Sequence, residues 1–333
     1  MPYGRSVNSG LVGSREVNDA EVNNALEAAW RPPLSLCSPP VLYTVVYPGR
    51  RHFKVVCMKH LFRMIALLVI GLAPALSAGQ VGYQVVSVED GGTIRGTVRW
   101  QGALPHLVSY DINKDQQICD PQSQKHRDLE RLLVAPNGGV ANTVVFLRNI
   151  TRGKAMDLPM ARRFLNQKSC RYEPHVLLVP VQAILTVKSS DPLLHTVQMS
   201  GSADYNFPFT AEGQEFSHPM IRDGAASLRC NVHVWMNGEM MVARHPYYTV
   251  TDRDGNFELT QVPPGDYEIV AWHEGWKVVG QNALYDLKTQ VRVNHPVFSD
   301  PVIWSKPVTV PARSAVEVNF TLEQNTRQMP QGH

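Results

Sequence analysis

The sequence predicts an all-β protein. Three observations carry that expectation. Apolar residues recur in short runs with a period of two. The runs are punctuated throughout by 23 glycines and 24 prolines, the residues that break strands and build turns. No long stretch shows the 3.6-residue apolar repeat of an amphipathic helix, and no internal repeat is visible.

The strands are expected in this order. "GGTIRGTVRWQG" (91–102) sets Ile94, Gly96, Val98 and Trp100 against polar neighbours and is a strand. The polar stretch 108–130 is weakly patterned, and a loop with one helical turn is expected there. "GGVANTVVFLRNI" (138–150) is a further strand, and 175–191 is two strands joined by a bend at Pro180. Residues 226–246 read strand, loop, strand. The Asp254-Gly255 and Pro263-Pro264-Gly265 turns separate alternating runs and predict hairpins. "SAVEVNFTLEQ" (314–324) is the last strand, and 325–333 is a flexible tail.

A targeting signal is expected inside the chain. From Met58, a basic start (Lys59, His60, Arg63) precedes an apolar run, Met64 to Leu72, and small residues at Ala75 and Ala78. That is the anatomy of a secretory signal peptide, here 58–78; a buried helix is the alternative, and the run is short for a membrane span. Residues 1–57 have no periodicity and are read as a disordered upstream extension that is not native to the working protein, with translation starting at Met58 and the mature chain near Gly79. A periplasmic or secreted location follows, with no membrane span in the mature chain.

Export changes the cysteine count. Cys37 and Cys57 drop out, leaving Cys119, Cys170 and Cys230. Thiols in an oxidising compartment tend to pair. The simplest division is a Cys119–Cys170 disulfide and a Cys230 thiolate with another task; three unpaired thiols is the alternative. The net charge of +3 is too weak for nucleic acid to be a partner, and no cluster of Lys and Arg marks one helix.

The stretch "LRCNVHVWM" (228–236) spaces Cys230, His233 and Met236 by three. Thiolate, imidazole and thioether are soft or borderline donors that suit copper, whereas calcium and magnesium demand oxygen. A blue-copper site needs a second imidazole, two His and one Cys in a plane with a long axial Met. His195, in "VKSSDPLLHTVQM", follows an apolar run and the Asp191-Pro192 turn and supplies the candidate. Zinc would accept the Cys and two His but gains nothing from the Met. Singly, each residue is more often ordinary core or surface; the ordered set is what signals a metal.

"SDPLLHTVQ" followed by "CNVHVWM" resembles the cupredoxin family, in the short-loop form of the amicyanins. The resemblance covers about 140–245 and implies a Greek-key sandwich holding one copper ion. It implies His195, Cys230 and His233 as equatorial ligands and Met236 as the axial one, with Met240 and Met241 as rivals for the axial place. Where the family loop often carries a proline near the second His, Val232 and Val234 flank His233 here. Trp235 is expected to shield the metal. His175 could approach the site; His218, His245 and His273 are expected to be structural or exposed.

"TVTDRDGNFELTQVPPGDYEIVAWHEG" resembles the carboxypeptidase regulatory-like, transthyretin-like sandwich, through Asp252, Asp254-Gly255, Phe257, Pro263-Pro264-Gly265, Tyr267 and Trp272. It implies a small prealbumin-like β-sandwich over 246–324 with no active site. Asp252 and Asp254 mark a turn rather than calcium, since the EF-hand series is missing. Residues 79–139 would then be the N-terminal strands and loop, possible opening strands of that same sandwich, with the copper segment inserted into it or stacked on it.

The expected function is an exported mononuclear type 1 copper protein that passes single electrons to or from a redox protein partner. A non-redox copper-binding or protein- or glycan-binding module is the alternative. An enzyme is not expected: neither His-x-His nor G-x-S-x-G occurs in the sequence.

Overall fold

The computed structural model describes residues 82–156, 163–286 and 291–324. All of them fall in one compact unit, Leu76–His333. The expected extension 1–57, the expected signal peptide 58–78 and the expected tail 325–333 lie outside the described residues. The protein is all-β: the described residues form strands and one short helix, Gln116–Cys119. No described helix is long and apolar enough to cross a membrane.

Two pairs of facing sheets bury two cores. In the first pair, a five-stranded sheet runs Tyr205–Phe209, His195–Gly201, Gly224–Arg229, Asn237–Ala243, Val176–Pro180. It faces a four-stranded sheet, Glu215–Pro219, Ile184–Ser189, Phe164–Lys168, Arg171–Glu173. Leu177, Val197, Met199 and Leu228 from one sheet meet Leu165, Tyr172, Leu185 and Val187 from the other. The bend at Pro180 therefore carries the chain from one sheet to the other.

The second pair holds Tyr248–Val250, Val144–Arg148, Gly265–His273, Val302–Val310 in one sheet. The other is built on Gly92–Gln101, flanked by Asn256–Val262 and, in parallel, by Ala315–Glu317 and then Phe320–Glu323. The expected last strand is thus two short ones. Between them, Asn319 leaves the ladder and its Oδ1 accepts the Thr97 N–H at 2.8 Å.

Contacts between 92–101 and 256–262 place the strand Gly92–Gln101 in this second sandwich. Val144–Arg148, read from sequence as the start of the copper segment, belongs there too, paired with Tyr248–Val250 and Gly265–His273. The first sandwich is therefore inserted between two neighbouring strands of the second.

The expected hairpins are corrected. The Asp252–Gly255 turn joins Tyr248–Val250 to Asn256–Val262, and Pro263-Pro264 joins the latter to Gly265–His273, yet each of these links crosses between sheets. A turn dipeptide fixes local backbone, not which strand the next run pairs with. The Asp252 reading as a turn holds: its Oδ1 accepts the N–H groups of Asp254 and Asn256 at 2.9 and 2.8 Å. Gly139 lets this turn close in, because a Cβ there would lie 1.9 Å from the Asp254 carbonyl oxygen.

The sandwiches share a third, smaller core. Val176, Leu178 and Met241 on the outer face of the five-stranded sheet pack with Val144 and Trp272. Val176–Pro180 and Asn237–Ala243 are consequently buried along their whole length. That explains why Val176–Pro180 is a continuous apolar run rather than an alternating one, whereas in Asn237–Ala243 the buried Asn237 and Glu239 are held by the Arg131 guanidinium.

His245 sits at the exit of the inserted sandwich, 7% exposed, with its Nδ1 accepting the Tyr247 N–H at 3.3 Å. Burial lowers its pKa to about 4. A depressed histidine contributes stability that is fully present above the unfolded value near 6.5 and is lost as pH falls towards 4. The loss is about 3 kcal/mol. His245→Gln, followed by denaturant titration across that window, is expected to flatten this part of the acid limb.

Candidate metal centre

The loop 230–236 spans the open end of the antiparallel pair Gly224–Arg229 and Asn237–Ala243, whose last register pair is Arg229 with Asn237. Two backbone bonds shape it. The Cys230 N–H donates to Met236 O at 3.2 Å and the Met236 N–H to His233 O at 2.9 Å. The adjacent strand His195–Gly201 pairs with Gly224–Arg229, Gln198 opposite Arg229. His195, at its first position, therefore arrives beside the loop.

His195, Cys230 and His233 converge. One donor atom of each lies within 4.8 Å of the other two. Cys230 Sγ is 4.0 Å from His195 Nδ1 and 3.8 Å from His233 Nδ1. Both histidines are fully buried, and so is Cys230, the free cysteine among the described residues. The Thr196 and Val232 N–H groups each lie 3.4 Å from the sulfur and fix its place. Met236 is buried in the same core. Of its rivals, Met240 shares that core, while Met241 faces the opposite side of the sheet, towards Trp272. Trp235 is buried, its ring 5.3 Å from that of His233, where it excludes water.

Each imidazole is oriented from behind by a carboxylate. His195 Nε2 lies 2.9 Å from Asp191 Oδ2, and His233 Nε2 lies 3.0 Å from Asp115 Oδ2. Asp191 is itself pinned, accepting the Ser169 and Cys170 N–H groups at 2.7 and 2.9 Å. Hydrogen bonds of this kind fix ring orientation and leave each Nδ1 aimed at the sulfur.

The electrostatics favour a charged sulfur. Burial alone would raise the Cys230 pKa, but hydrogen bonds from His195 and His233 hold it well below the usual thiol range. Burial would lower His195, but Asp191 and Cys230 lift it to about 9. Asp191, despite burial, is held below the usual carboxylate range by His195 and the two backbone N–H groups. A thiolate held this way is ready to ligate a metal.

A disulfide joins Cys119 and Cys170, closing a separation of 51 residues. In the chain-entropy account that loop contributes about 4 kcal/mol. The bridge anchors the short helix that follows Asp115, and so anchors the carboxylate behind His233. It also lies at the centre: both sulfurs are within 4.8 Å of a His233 nitrogen, and Cys170 Sγ is equally close to donors of Asp191 and His195.

His175 does not reach the centre. Its Nε2 meets Glu274 at 2.5 Å, inside a buried ionic network in which Arg131 binds Glu239 at 3.1 Å and Glu274 at 3.0 Å. His218 is half-buried, its ring 3.8 Å from that of Tyr205; His245 and His273 are buried away from the cluster. The sequence reading missed Asp191 and Asp115. Asp191 stands four residues before His195 and was legible as more than a turn residue, whereas Asp115 lies 118 residues from His233 with no local signal.

Residues 209–297 match the family model of the second β-sandwich domain of BOS complex subunit NOMO1-like proteins. No curated protein matches the chain. Among solved structures, the chain is similar to a purple cupredoxin from Nitrosopumilus maritimus, at 21% identity, TM-score 0.22, over 24% of this chain and 98% of that one. It is similar to a copper-containing nitrite reductase from Thermus scotoductus SA-01, at 19% identity, TM-score 0.24, over 27% of this chain and 24% of that one. An oxidised amicyanin variant matches at 23% identity, TM-score 0.23, over 24% of this chain and 80% of that one. At these TM-scores the likenesses carry no argument about the centre.

With His195 as a ligand, replacing Asp191 by Asn would be expected to weaken copper uptake roughly 10- to 100-fold, the cost of losing an orienting partner behind a ligating histidine. Competition titration of copper against a chelator measures it, with Asp115→Asn as the companion variant.

Proposed function

We propose that this chain is an exported mononuclear copper protein that passes single electrons. Its inserted sandwich is a cupredoxin-like domain, and the sandwich that hosts it is carboxypeptidase regulatory-like. The observation that carries the reading is the meeting of His195 Nδ1, Cys230 Sγ and His233 Nδ1 in one buried cluster. Two imidazoles and a thiolate, beside a loop methionine, make the donor set of a type 1 copper site. Copper bound there would supply a one-electron couple.

The residues' own contributions follow. His195, Cys230 and His233 would hold the ion, and Met236 would take the axial place. Asp191 and Asp115 hold both rings in one tautomer and one orientation. Thr196 and Val232 point N–H dipoles at the sulfur, which disperses its charge without adding a ligand. Trp235 keeps water out. Because every donor is anchored to a strand end or to a closed loop, little would move as the charge changes, and small reorganisation is what fast electron exchange requires.

Export is part of the reading. It rests on the signal-like segment at 58–78 and on a buried disulfide, a bond that persists in oxidising compartments. The redox partner would be a second protein, and the chain itself is not an enzyme. The β-sandwich family match over 209–297 favours one other reading, a binding module with no redox turnover.

Adding Cu(II) to the chain from Gly79 onward separates the two. Electron transfer predicts an intense visible absorption from thiolate-to-copper charge transfer and a matching electron-spin signal, both abolished in Cys230→Ser. Copper uptake without that band would leave the non-redox module. No uptake at all would remove copper from either reading.

A further inference from the structure

The disulfide is placed as if it were part of the centre, and the fold holds its two cysteines together by means other than the S–S bond. Arg127 Nη1 donates to the carbonyls of Ser169 and Cys170, at 2.5 and 3.2 Å, and its Nη2 donates to the carbonyl of Cys119. One guanidinium thus ties both cysteine backbones. Asp191 grips the Cys170 N–H at 2.9 Å, and the Cys119 N–H donates to Asp115 O at 2.9 Å. Both side chains are fully buried. Opening the bond would leave two thiols beside His233, on backbones whose Cα atoms stand 5.1 Å apart in the bonded form and which these hydrogen bonds hold independently of it.

We propose that reduction of Cys119–Cys170 creates a second metal-binding site, made of the two freed thiolates and His233, that takes a soft monovalent ion such as Cu(I). Thiolate ligands select Cu(I) over harder ions. Donors about 2.0–2.3 Å from a shared ion lie within about 4.6 Å of each other, and these three already lie within 4.8 Å. The sulfurs need only separate from bonding distance by side-chain rotation. The reductant is an external dithiol. It gives two electrons and two protons to the S–S bond and becomes a disulfide itself. Binding Cu(I) then releases the two thiol protons. In the oxidised protein His233 serves the centre with His195 and Cys230. In the reduced protein the same ring has two sulfur neighbours competing for it. The inference shares His233 with the reading above and otherwise stands apart from it.

The test uses the full chain carrying Cys37→Ser, Cys57→Ser and Cys230→Ser, so that Cys119 and Cys170 are its two cysteines. Cu(I) is titrated anaerobically against a chromogenic Cu(I) chelator, before and after reduction by a phosphine that is then removed. Folding is followed by near-ultraviolet circular dichroism. The expected result is no Cu(I) retained by the oxidised protein and one ion per chain by the reduced one, with a sulfur-dominated shell in copper-edge X-ray absorption. Adding Cys119→Ser should abolish that retention. Three outcomes would overturn the proposal: no retention after reduction, retention that survives Cys119→Ser, or unfolding on reduction, since the cysteines must be held without their bond. Failure of the type 1 reading shows separately, as a missing visible band in the oxidised protein with Cys230 intact.

Discussion

The structure turns on one chain of charges, carboxylate to imidazole to thiolate to imidazole to carboxylate. Asp191, His195, Cys230, His233 and Asp115 follow each other at contact distances, from the buried Asp191 at one end to the part-exposed Asp115 at the other. A buried thiolate alone would be too costly, and so would a buried imidazolium. Together they compensate, and the outer carboxylates complete the compensation. Asp191, His195 and Cys230 each depend on a charged or hydrogen-bonding neighbour, and a buried charge left without one is strongly destabilising. A multivalent or charge-changing ion is most easily accommodated where the protein has already arranged opposite charges at fixed spacing.

The sequence made the inner part of this arrangement legible and hid the outer part. Cys230 and His233 share one seven-residue loop, so their spacing speaks directly. His195 was reachable by asking what a copper site with one Cys and one His still lacks. Asp115 was not reachable, because nothing in a polar, weakly patterned segment announces contact with a loop more than a hundred residues later. The helical turn expected in 108–130 does occur, at Gln116–Cys119, but its purpose is tertiary: with the disulfide it delivers the Asp115 carboxylate. The Cys119–Cys170 bond came from counting thiols. Its place against both histidines did not.

At the level of the fold, the all-β class was plain from alternation and punctuation. Pairing was less plain. Turn residues at Asp254-Gly255 and Pro263-Pro264-Gly265 look alike whether the chain folds back on itself or steps across a sandwich, and here it steps across. Val176–Pro180 and Asn237–Ala243 lack alternation because both of their faces are covered, information that exists only once the second sandwich is in place. His175 looked available for ligation, yet Glu274, about a hundred residues away, claims it.

The entry and exit strands of the insertion lie side by side. Phe146 stands opposite Tyr248 in an antiparallel ladder, and the Leu147 N–H reaches the Tyr247 carbonyl at 3.1 Å. Strands in that relation need only a two-residue turn to connect them. The host sandwich could therefore be made continuous by a very short link, as though it were a unit into which a second sandwich had been spliced. Removing the guest would strip the cover from Val144 and Trp272, so the host leans on its passenger to bury these apolar side chains even though its own backbone does not need it for closure.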